Sequence, residues 1–168
     1  MARIFLLLCL TTALACQTTQ KAPPQKTSSG HPPKKTLSAP PSSGTVSNAA
    51  NVVWLDSERL MPVLEQAQRE KKVVFVEFYA TWCAPCKVME EDVFTQTDTY
   101  RYLNKNFLNF RTDFDSSAGN TIAAIYEVKS LPTVLFLNPQ GVVLERHTGI
   151  ANPSLLRTMG DSALGKLK

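Results

Sequence analysis

Residues 73–87 read VVFVEFYATWCAPCK, an apolar stretch that ends in two cysteines separated by two residues. The part from Val73 to Ala80 is rich in β-branched and aromatic residues, which is typical of a strand buried on both faces. A helix is predicted from Ala84, because Pro85 suits a first turn, where a backbone N–H has no intrahelical partner. The cysteine pair is therefore predicted to lie where a central strand passes into a helix.

The place and spacing of the two cysteines fit a redox-active dithiol. Cys83 is expected at the helix N-terminus, where free backbone N–H groups and the helix dipole stabilise a thiolate. The thiolate is the species that attacks a disulfide in thiol–disulfide exchange. Cys86 lies one turn further on, where we expect it to be more enclosed and to resolve the mixed disulfide. The pattern favours a redox centre.

A structural disulfide and a metal site are the alternatives for this pair. A bridge that closes so short a loop removes little chain entropy, so it stabilises a fold poorly. A zinc site needs further ligands, and the sequence has no second Cys-X-X-Cys; His147, His31 and Cys16 are the remaining candidates. We therefore prefer the redox centre and predict no bound metal.

Residues 52–168 predict an α/β domain with a central mixed β-sheet flanked by helices. Apolar β-branched and aromatic runs predict strands, and apolar residues at helical spacing predict helices. The predicted elements are an edge strand at 52–55, a helix capped by Asp56 or Ser57 and ending at Lys71, a strand at 73–80, helices from Ala84 and from near Asp98, a strand at 107–114, a helix at 118–128, a hairpin of strands 132–138 and 142–149, and a last helix capped by Asn152.

The stretch VEFYATWCAPCK, followed later by the tetrapeptide SLPT at 130–133, resembles the thioredoxin superfamily. The resemblance covers residues 52–168 and implies the thioredoxin fold. Within the superfamily, EFYATWCAPCK and the acidic helix after it are most similar to the periplasmic C-terminal thioredoxin domain of DsbD-type transmembrane thiol reductases. They are also similar to secreted thioredoxin-like proteins of that kind.

The resemblance implies a substrate-binding surface beside the cysteines. Pro132 corresponds to the family's cis-proline, which packs against the cysteine pair. A trans proline that opens an edge strand is the alternative. Leu131 is expected to offer main-chain groups to an extended substrate peptide, as in strand addition. Trp82 is expected to shield the pair from water and to form a docking surface, with plain packing as the alternative.

The resemblance also implies a proton-handling group. Glu77 stands six residues before Cys83, where thioredoxins commonly have a buried Asp. A carboxyl beneath the pair can move a proton to and from Cys86, and desolvation should raise its pKa. Arg111 is expected to pair with it or to point into solvent. A Glu77 side chain that reaches solvent from an edge is the alternative.

Residues 1–15, MARIFLLLCLTTALA, have the features of a secretory signal peptide. A basic residue precedes an apolar run too short to span a membrane, and Ala13 and Ala15 fit the cleavage rule. Cys16 follows directly, so the stretch resembles a bacterial lipobox, although Ala13 replaces the usual leucine. We predict acylation of Cys16 and, from Gln17 at the next position, sorting to the outer membrane. Simple cleavage that leaves a free Cys16 thiol is the alternative.

Residues 16–51 predict a disordered tether between that anchor and the domain. The stretch 17–51 holds six of the eleven prolines and no aromatic residue, so it cannot bury enough apolar area to offset its ordering entropy. The first 51 residues carry five basic and no acidic residues, and the remainder carries 13 basic and 14 acidic ones. The folded part has no basic stripe, so we expect no nucleic-acid binding.

These features together predict an exported bacterial thiol–disulfide oxidoreductase, lipid-anchored in the periplasm and monomeric. The resemblance implies protein disulfides as substrates and no organic cofactor. A transmembrane thiol reductase is the expected electron donor, because the compartment is oxidising. The Ala-Pro spacer lacks the histidine of strongly oxidising relatives, which favours a reductant. The alternatives are an oxidase or isomerase with the same site, and a tethered module that binds partners or traps a metal without turnover.

Overall fold

Residues 50–167 are described by a computed structural model of the protein. The predicted signal peptide, the acylation of Cys16 and nearly all of the predicted tether lie outside this range. Within the range, no helix is long and apolar enough to cross a membrane. The secondary structure consists of α1 Leu60–Glu70, β1 Val73–Tyr79, α2 Ala84–Val88 continued by a π-helical turn Met89–Val93, α3 Thr97–Asn106, β2 Phe107–Asp113, α4 Ser117–Ile125, β3 Thr133–Leu137, β4 Val143–Thr148 and α5 Pro153–Lys166.

The four strands form one mixed sheet in the order β2-β1-β3-β4. Strand β1 is parallel to β2 and antiparallel to β3, and β4 is antiparallel to β3. The central position of β1 explains its continuous apolar sequence, because both of its faces are covered. The predicted α/β class with a central mixed sheet is confirmed.

Each face of the sheet has its own core. On one face, Phe75 and Phe136 pack with residues of the π-helical turn, α3 and α5. On the other face, Val76 and Leu135 pack with residues of α1 and α4. Because side chains alternate along β1, Glu77 shares the face of Phe75, the face that the chain after the cysteine pair covers.

The predicted edge strand at 52–55 is wrong. This segment runs beside β2, but its one backbone bond to that strand joins Leu55 N–H to the Asn109 carbonyl at 2.8 Å. Asparagine side chains make the other contacts: Asn104 Oδ1 accepts from Val53 N–H at 2.8 Å, and Asn109 Nδ2 donates to the Val53 carbonyl at 3.2 Å. These side chains replace the ladder that a strand requires.

Helix boundaries follow the sequence closely except at the start of α1 and at the end of α4, which stops at Ile125 and not at Val128. The predicted caps Asp56 and Ser57 are not used; the helix begins at Leu60 after Arg59, which makes no side-chain capping bond. Pro62 lies in the first turn, where a proline is tolerated. At α5 the prediction is confirmed, because Asn152 Oδ1 accepts from Leu155 N–H at 2.9 Å.

Candidate active site

The two cysteines form a disulfide at the start of α2. Their sulfur atoms are 2.04 Å apart and their Cα atoms 5.3 Å apart. Cys83 is the N-cap residue of the helix, and its sulfur accepts a hydrogen bond from the Cys86 backbone N–H at 3.2 Å. A sulfur in this place faces the free N–H groups and the positive end of the helix dipole, which favours a thiolate after reduction.

Cys83 and Cys86 are equally enclosed, each 3% exposed. The expectation that Cys86 is the more enclosed of the two is therefore wrong for the disulfide form. Both cysteines belong to one small apolar cluster with Ala80, and Phe114 and Leu131 pack against it. The bond holds both sulfurs inside this cluster.

The Leu131–Pro132 segment lies directly before β3. The peptide bond between these residues is cis, so the trans alternative for Pro132 is wrong. Leu131 is half-buried and contacts the cysteine cluster, and the Pro132 carbonyl accepts from Gly149 N–H at 2.8 Å. Leu131 thus lies against the cysteines, and the backbone of Pro132 is hydrogen-bonded to the segment that follows β4.

Trp82 is exposed beside the cysteine pair, with 66% of its surface accessible. Trp82 is therefore not packed in the core, and its expected role in shielding the cysteine pair from water stays a prediction. The indole N–H donates to Asp115 Oδ2 at 2.6 Å, which fixes the orientation of the ring. Sequence reasoning missed Asp115, because no local pattern links residues that are 33 positions apart.

Glu77 is completely buried in the centre of the sheet. Neither carboxylate oxygen has a hydrogen-bond partner among the described residues, and Arg111 Nε lies 3.5 Å from Oε2. At that separation Arg111 and Glu77 form an ion pair, but Nε–H does not donate a hydrogen bond to the carboxylate. Burial raises the pKa of Glu77 to about 7; the positive charge of Arg111 opposes the rise and the negative charge of Glu90 adds to it. The alternative in which Glu77 reaches solvent is wrong.

Arg111 connects Glu77 to the surface, as the expected pairing required. Its guanidinium lies 4.0 Å from the Tyr79 ring centroid and 5.2 Å from that of Trp54. Its Nη1 atom donates to Glu90 Oε1 at 3.2 Å. Sequence reasoning missed Glu90 and Trp54. Glu90 belongs to the acidic run after the cysteines, a pattern that is visible in the sequence. No sequence pattern indicates that Trp54 contacts Arg111.

Among residues 50–167, no group of three or more His, Cys, Asp or Glu side chains is arranged to hold a metal ion. His147, a candidate ligand from the sequence, is half-buried on β4, and its Nε2 atom lies 3.3 Å from the Ile150 carbonyl oxygen. The prediction that the protein needs no organic cofactor stays a prediction.

Comparison with known proteins agrees with this geometry. A family model described as thioredoxin-like matches residues 56–139, half of the chain. A thioredoxin of Mycoplasmoides gallisepticum is 30% identical over 96 residues, covering 57% of this chain and 89% of that protein. The solved structure of a thioredoxin from Thermus thermophilus shares the fold, with a TM-score of 0.60 at 23% identity over 69% of this chain and 89% of that one.

The thiol:disulfide interchange protein DsbD of Colwellia psychrerythraea is 34% identical over 90 residues. The match covers 51% of this chain and 15% of DsbD, so the chain spans only a small part of that relative's length. Both the relatives and the Cys-X-X-Cys disulfide at a helix start point to the same chemistry. The chain therefore belongs to the thioredoxin-like family of thiol–disulfide oxidoreductases.

Proposed function

We propose that the protein is an exported oxidoreductase that reduces disulfide bonds of protein substrates through Cys83 and Cys86. One observation carries this proposal. The cysteine pair lies at a helix N-terminus, and the strand that leads to it holds a buried carboxyl, Glu77, with a pKa near neutral pH. A dithiol and a proton acceptor are the groups that disulfide reduction needs.

In the reduced protein, the Cys83 thiolate attacks one sulfur of the substrate disulfide. A bond forms between Cys83 and that sulfur, the substrate bond breaks, and the departing sulfur takes up a proton. Cys86 then loses its proton, attacks the Cys83 sulfur and releases the second substrate thiol. The substrate gains two electrons and two protons, and the protein is left as the disulfide described above.

Glu77 accepts the Cys86 proton in this scheme. A general base is most effective when its pKa lies near the operating pH, and burial raises the pKa of Glu77 to about 7. At neutral pH the carboxyl is therefore divided between its two forms. It can take a proton when the disulfide closes and return it when the pair is reduced again.

Leu131, Pro132 and Trp82 form the proposed substrate surface. An extended peptide can pair with the backbone of the Leu131–Pro132 segment, which gives affinity without a strict sequence requirement. Trp82 adds an exposed apolar ring held in place by Asp115. Aromatic anchors of this kind contribute strongly to protein–protein contacts.

We further propose a periplasmic location with an outer-membrane anchor at Cys16. The signal-like sequence of residues 1–15 and the lipobox-like cysteine support export and acylation. In an oxidising compartment the protein needs a supply of electrons, and a transmembrane thiol reductase is the proposed donor. The similarity to part of DsbD supports this class of donor.

Insulin reduction in the presence of dithiothreitol tests the proposed activity. We expect the purified protein to accelerate the reaction, and Cys83→Ser to abolish the acceleration. Cys86→Ser should stop turnover, and after incubation with insulin without dithiothreitol it should retain a mixed disulfide between Cys83 and the substrate, visible on a non-reducing gel. Cys16→Ser removes a thiol outside the site and serves as the matched control, with an unchanged rate. Full activity of Cys83→Ser would overturn the proposal.

Membrane fractionation tests the proposed anchor separately. The wild-type protein should sediment with outer membranes, and Cys16→Ser should appear in the soluble periplasmic fraction. A wild-type protein that is already soluble would show that Cys16 is not acylated.

A further inference from the structure

Arg111 bridges two acidic residues that differ in their access to solvent. Its Nε atom lies 3.5 Å from Oε2 of the fully buried Glu77, and its Nη1 atom lies 3.2 Å from Oε1 of Glu90. The side chain of Arg111 is 21% exposed and that of Glu90 is 51% exposed. The three charges therefore form a line from the interior of the sheet to the surface.

Two aromatic rings fix the guanidinium of Arg111 in this line. The Tyr79 ring is on the same strand and face as Glu77, and Trp54 belongs to the extended segment beside β2. An arginine held over aromatic faces loses freedom to move, because its planar group is stabilised by stacking. The two rings and the contact with Glu90 together hold Arg111 at a distance from Glu77 that leaves both carboxylate oxygens without a hydrogen bond.

Few charged groups act on Glu77. Among the elements packed against it, β2 contributes Arg111 and the π-helical turn contributes Glu90. Its register partner on β3 is Val134, which has no titratable group. Cys83, the N-cap of α2, and Cys86 in that helix do not titrate while they form the disulfide. The balance between Arg111 and Glu90 is thus the electrostatic control on this carboxyl.

We propose that Glu90 is a positioning residue that, through Arg111, sets the pH at which Glu77 exchanges its proton. Glu90 binds one side of the guanidinium and holds it toward the surface. Without Glu90, the guanidinium is free to turn its Nε–H onto Oε2 of Glu77, and its positive charge then acts at shorter range in a region where solvent screens it little. Glu77 then holds its proton less strongly and is ionised to a larger extent at neutral pH. This inference deepens the proposed function, since it rests on Glu77 as the proton acceptor.

Titration of the Glu77 side-chain carboxyl by NMR in the oxidised full chain tests the inference. Glu90→Gln should move the midpoint downward by about half a pH unit, in the direction expected when an opposite charge gains influence. Glu91→Gln is the matched control, because this neighbouring acid is exposed and, among the described residues, Arg111 forms its ion pairs with Glu77 and Glu90 and none with Glu91. An unchanged or raised midpoint in Glu90→Gln, or an equal shift in Glu91→Gln, would overturn the inference.

A double-mutant comparison tests whether the effect passes through Arg111. Arg111→Met alone should raise the Glu77 midpoint, since the opposing positive charge is lost. In the Arg111→Met background, Glu90→Gln should shift the midpoint by clearly less than in the wild type. Equal shifts in the two backgrounds would mean that Glu90 acts on Glu77 directly, and the positioning role would be wrong.

The pH profile of insulin reduction links the titration to the proposed activity. The acidic limb of the Glu90→Gln profile should move in the same direction as the Glu77 midpoint. A wild-type protein that does not reduce insulin would overturn the proposed function, while the NMR titrations would still test the role of Glu90. An active protein whose profile and midpoint are unaffected by Glu90→Gln would overturn the inference alone.

Discussion

At the scale of single residues, Glu77 couples the chemistry of the site to the stability of the fold. Burial raises the pKa of Glu77 from its ordinary value of 4.5 to about 7 in the folded protein. The stability contributed by the protonated form is complete below about pH 4.5 and is lost as the pH rises through about 7. The loss amounts to about 3 kcal/mol, from the difference between the two pKa values.

Glu77→Gln should remove this pH dependence. In urea unfolding of the oxidised protein, the variant should gain stability relative to the wild type between about pH 5 and about pH 8, by about 2 to 3 kcal/mol. Glu65→Gln, which changes an exposed acid on α1, is the control and should show no such gain. If the free energies of unfolding of the wild type and Glu77→Gln differ by the same amount at every pH in this range, Glu77 is not a buried group that titrates near neutral pH.

Asp115 gives Trp82 its fixed orientation, and this contact makes a second prediction at the same scale. Asp115→Ala should raise the KM for a protein substrate several-fold, because the ring is no longer held at the docking surface. Reduction of a small aromatic disulfide should change little, since it does not need the extended surface. Asp115→Asn keeps an acceptor for the indole N–H and should stay near the wild type. Equal KM values for the wild type, Asp115→Ala and Asp115→Asn would contradict the proposal that the Trp82 ring, as oriented by Asp115, contacts the substrate.

At the scale of elements, helix α5 packs against α3 and β2 through a glycine. A Cβ atom at Gly160 would lie 2.6 Å from the Tyr102 hydroxyl and 2.9 Å from Phe107 Cζ. The Tyr102 hydroxyl also donates to Asp161 Oδ1 at 2.6 Å, so the ring cannot move away without losing that bond. The absence of a side chain at Gly160 is what allows this close approach.

Gly160→Ala should therefore destabilise the protein by roughly 1 to 3 kcal/mol, the usual cost of overpacking. Gly165→Ala, in the same helix with no atom within 4 Å of the added Cβ, is the matched control. It should leave stability unchanged or raise it by up to about 1 kcal/mol, because alanine favours the helix. Thermal unfolding of both variants checks this. Similar melting temperatures for the two would contradict the packing of α5 described here.

Elements that local sequence determines could be predicted from the sequence. Strand β1 has an unbroken apolar run, the β3–β4 hairpin has a turn of Pro, Gln and Gly at its centre, and Asn152 precedes a proline as a helix cap should. The redox role of the cysteine pair could be predicted because the pair lies between the sequence patterns of β1 and α2. These features depend on neighbours within a few residues.

The features that the sequence did not predict depend on partners far along the chain. The segment at 52–55 has strand-forming residues, yet Asn104 and Asn109 take the bonds that a ladder would use. The contact of Glu90 with Arg111 spans 21 positions, and nothing local indicates which helix will cover β2. The equal enclosure of the two cysteines depends on their packing against Phe114 and Leu131, which lie far along the chain.

At the scale of the whole molecule, the direction of electron flow depends on the relative stability of the oxidised and reduced folds. In a strong oxidant, the reduced dithiol form is the more stable of the two folded forms. In a reductant, which gives up electrons readily, we expect the disulfide form to be the more stable one. We therefore expect the oxidised protein to unfold at a higher urea concentration than the dithiol form. A more stable dithiol form would indicate an oxidant.

The reduction potential of the Cys83–Cys86 couple tests the central claim most directly. Equilibration of the purified protein with a thiol–disulfide buffer measures it, and a tenfold change in the equilibrium corresponds to about 30 mV. A reductant that depends on a dedicated electron donor should have a potential near that of thioredoxin, roughly −270 mV. A potential near about −120 mV would contradict the claim, because a couple at that value oxidises protein thiols instead of reducing disulfides.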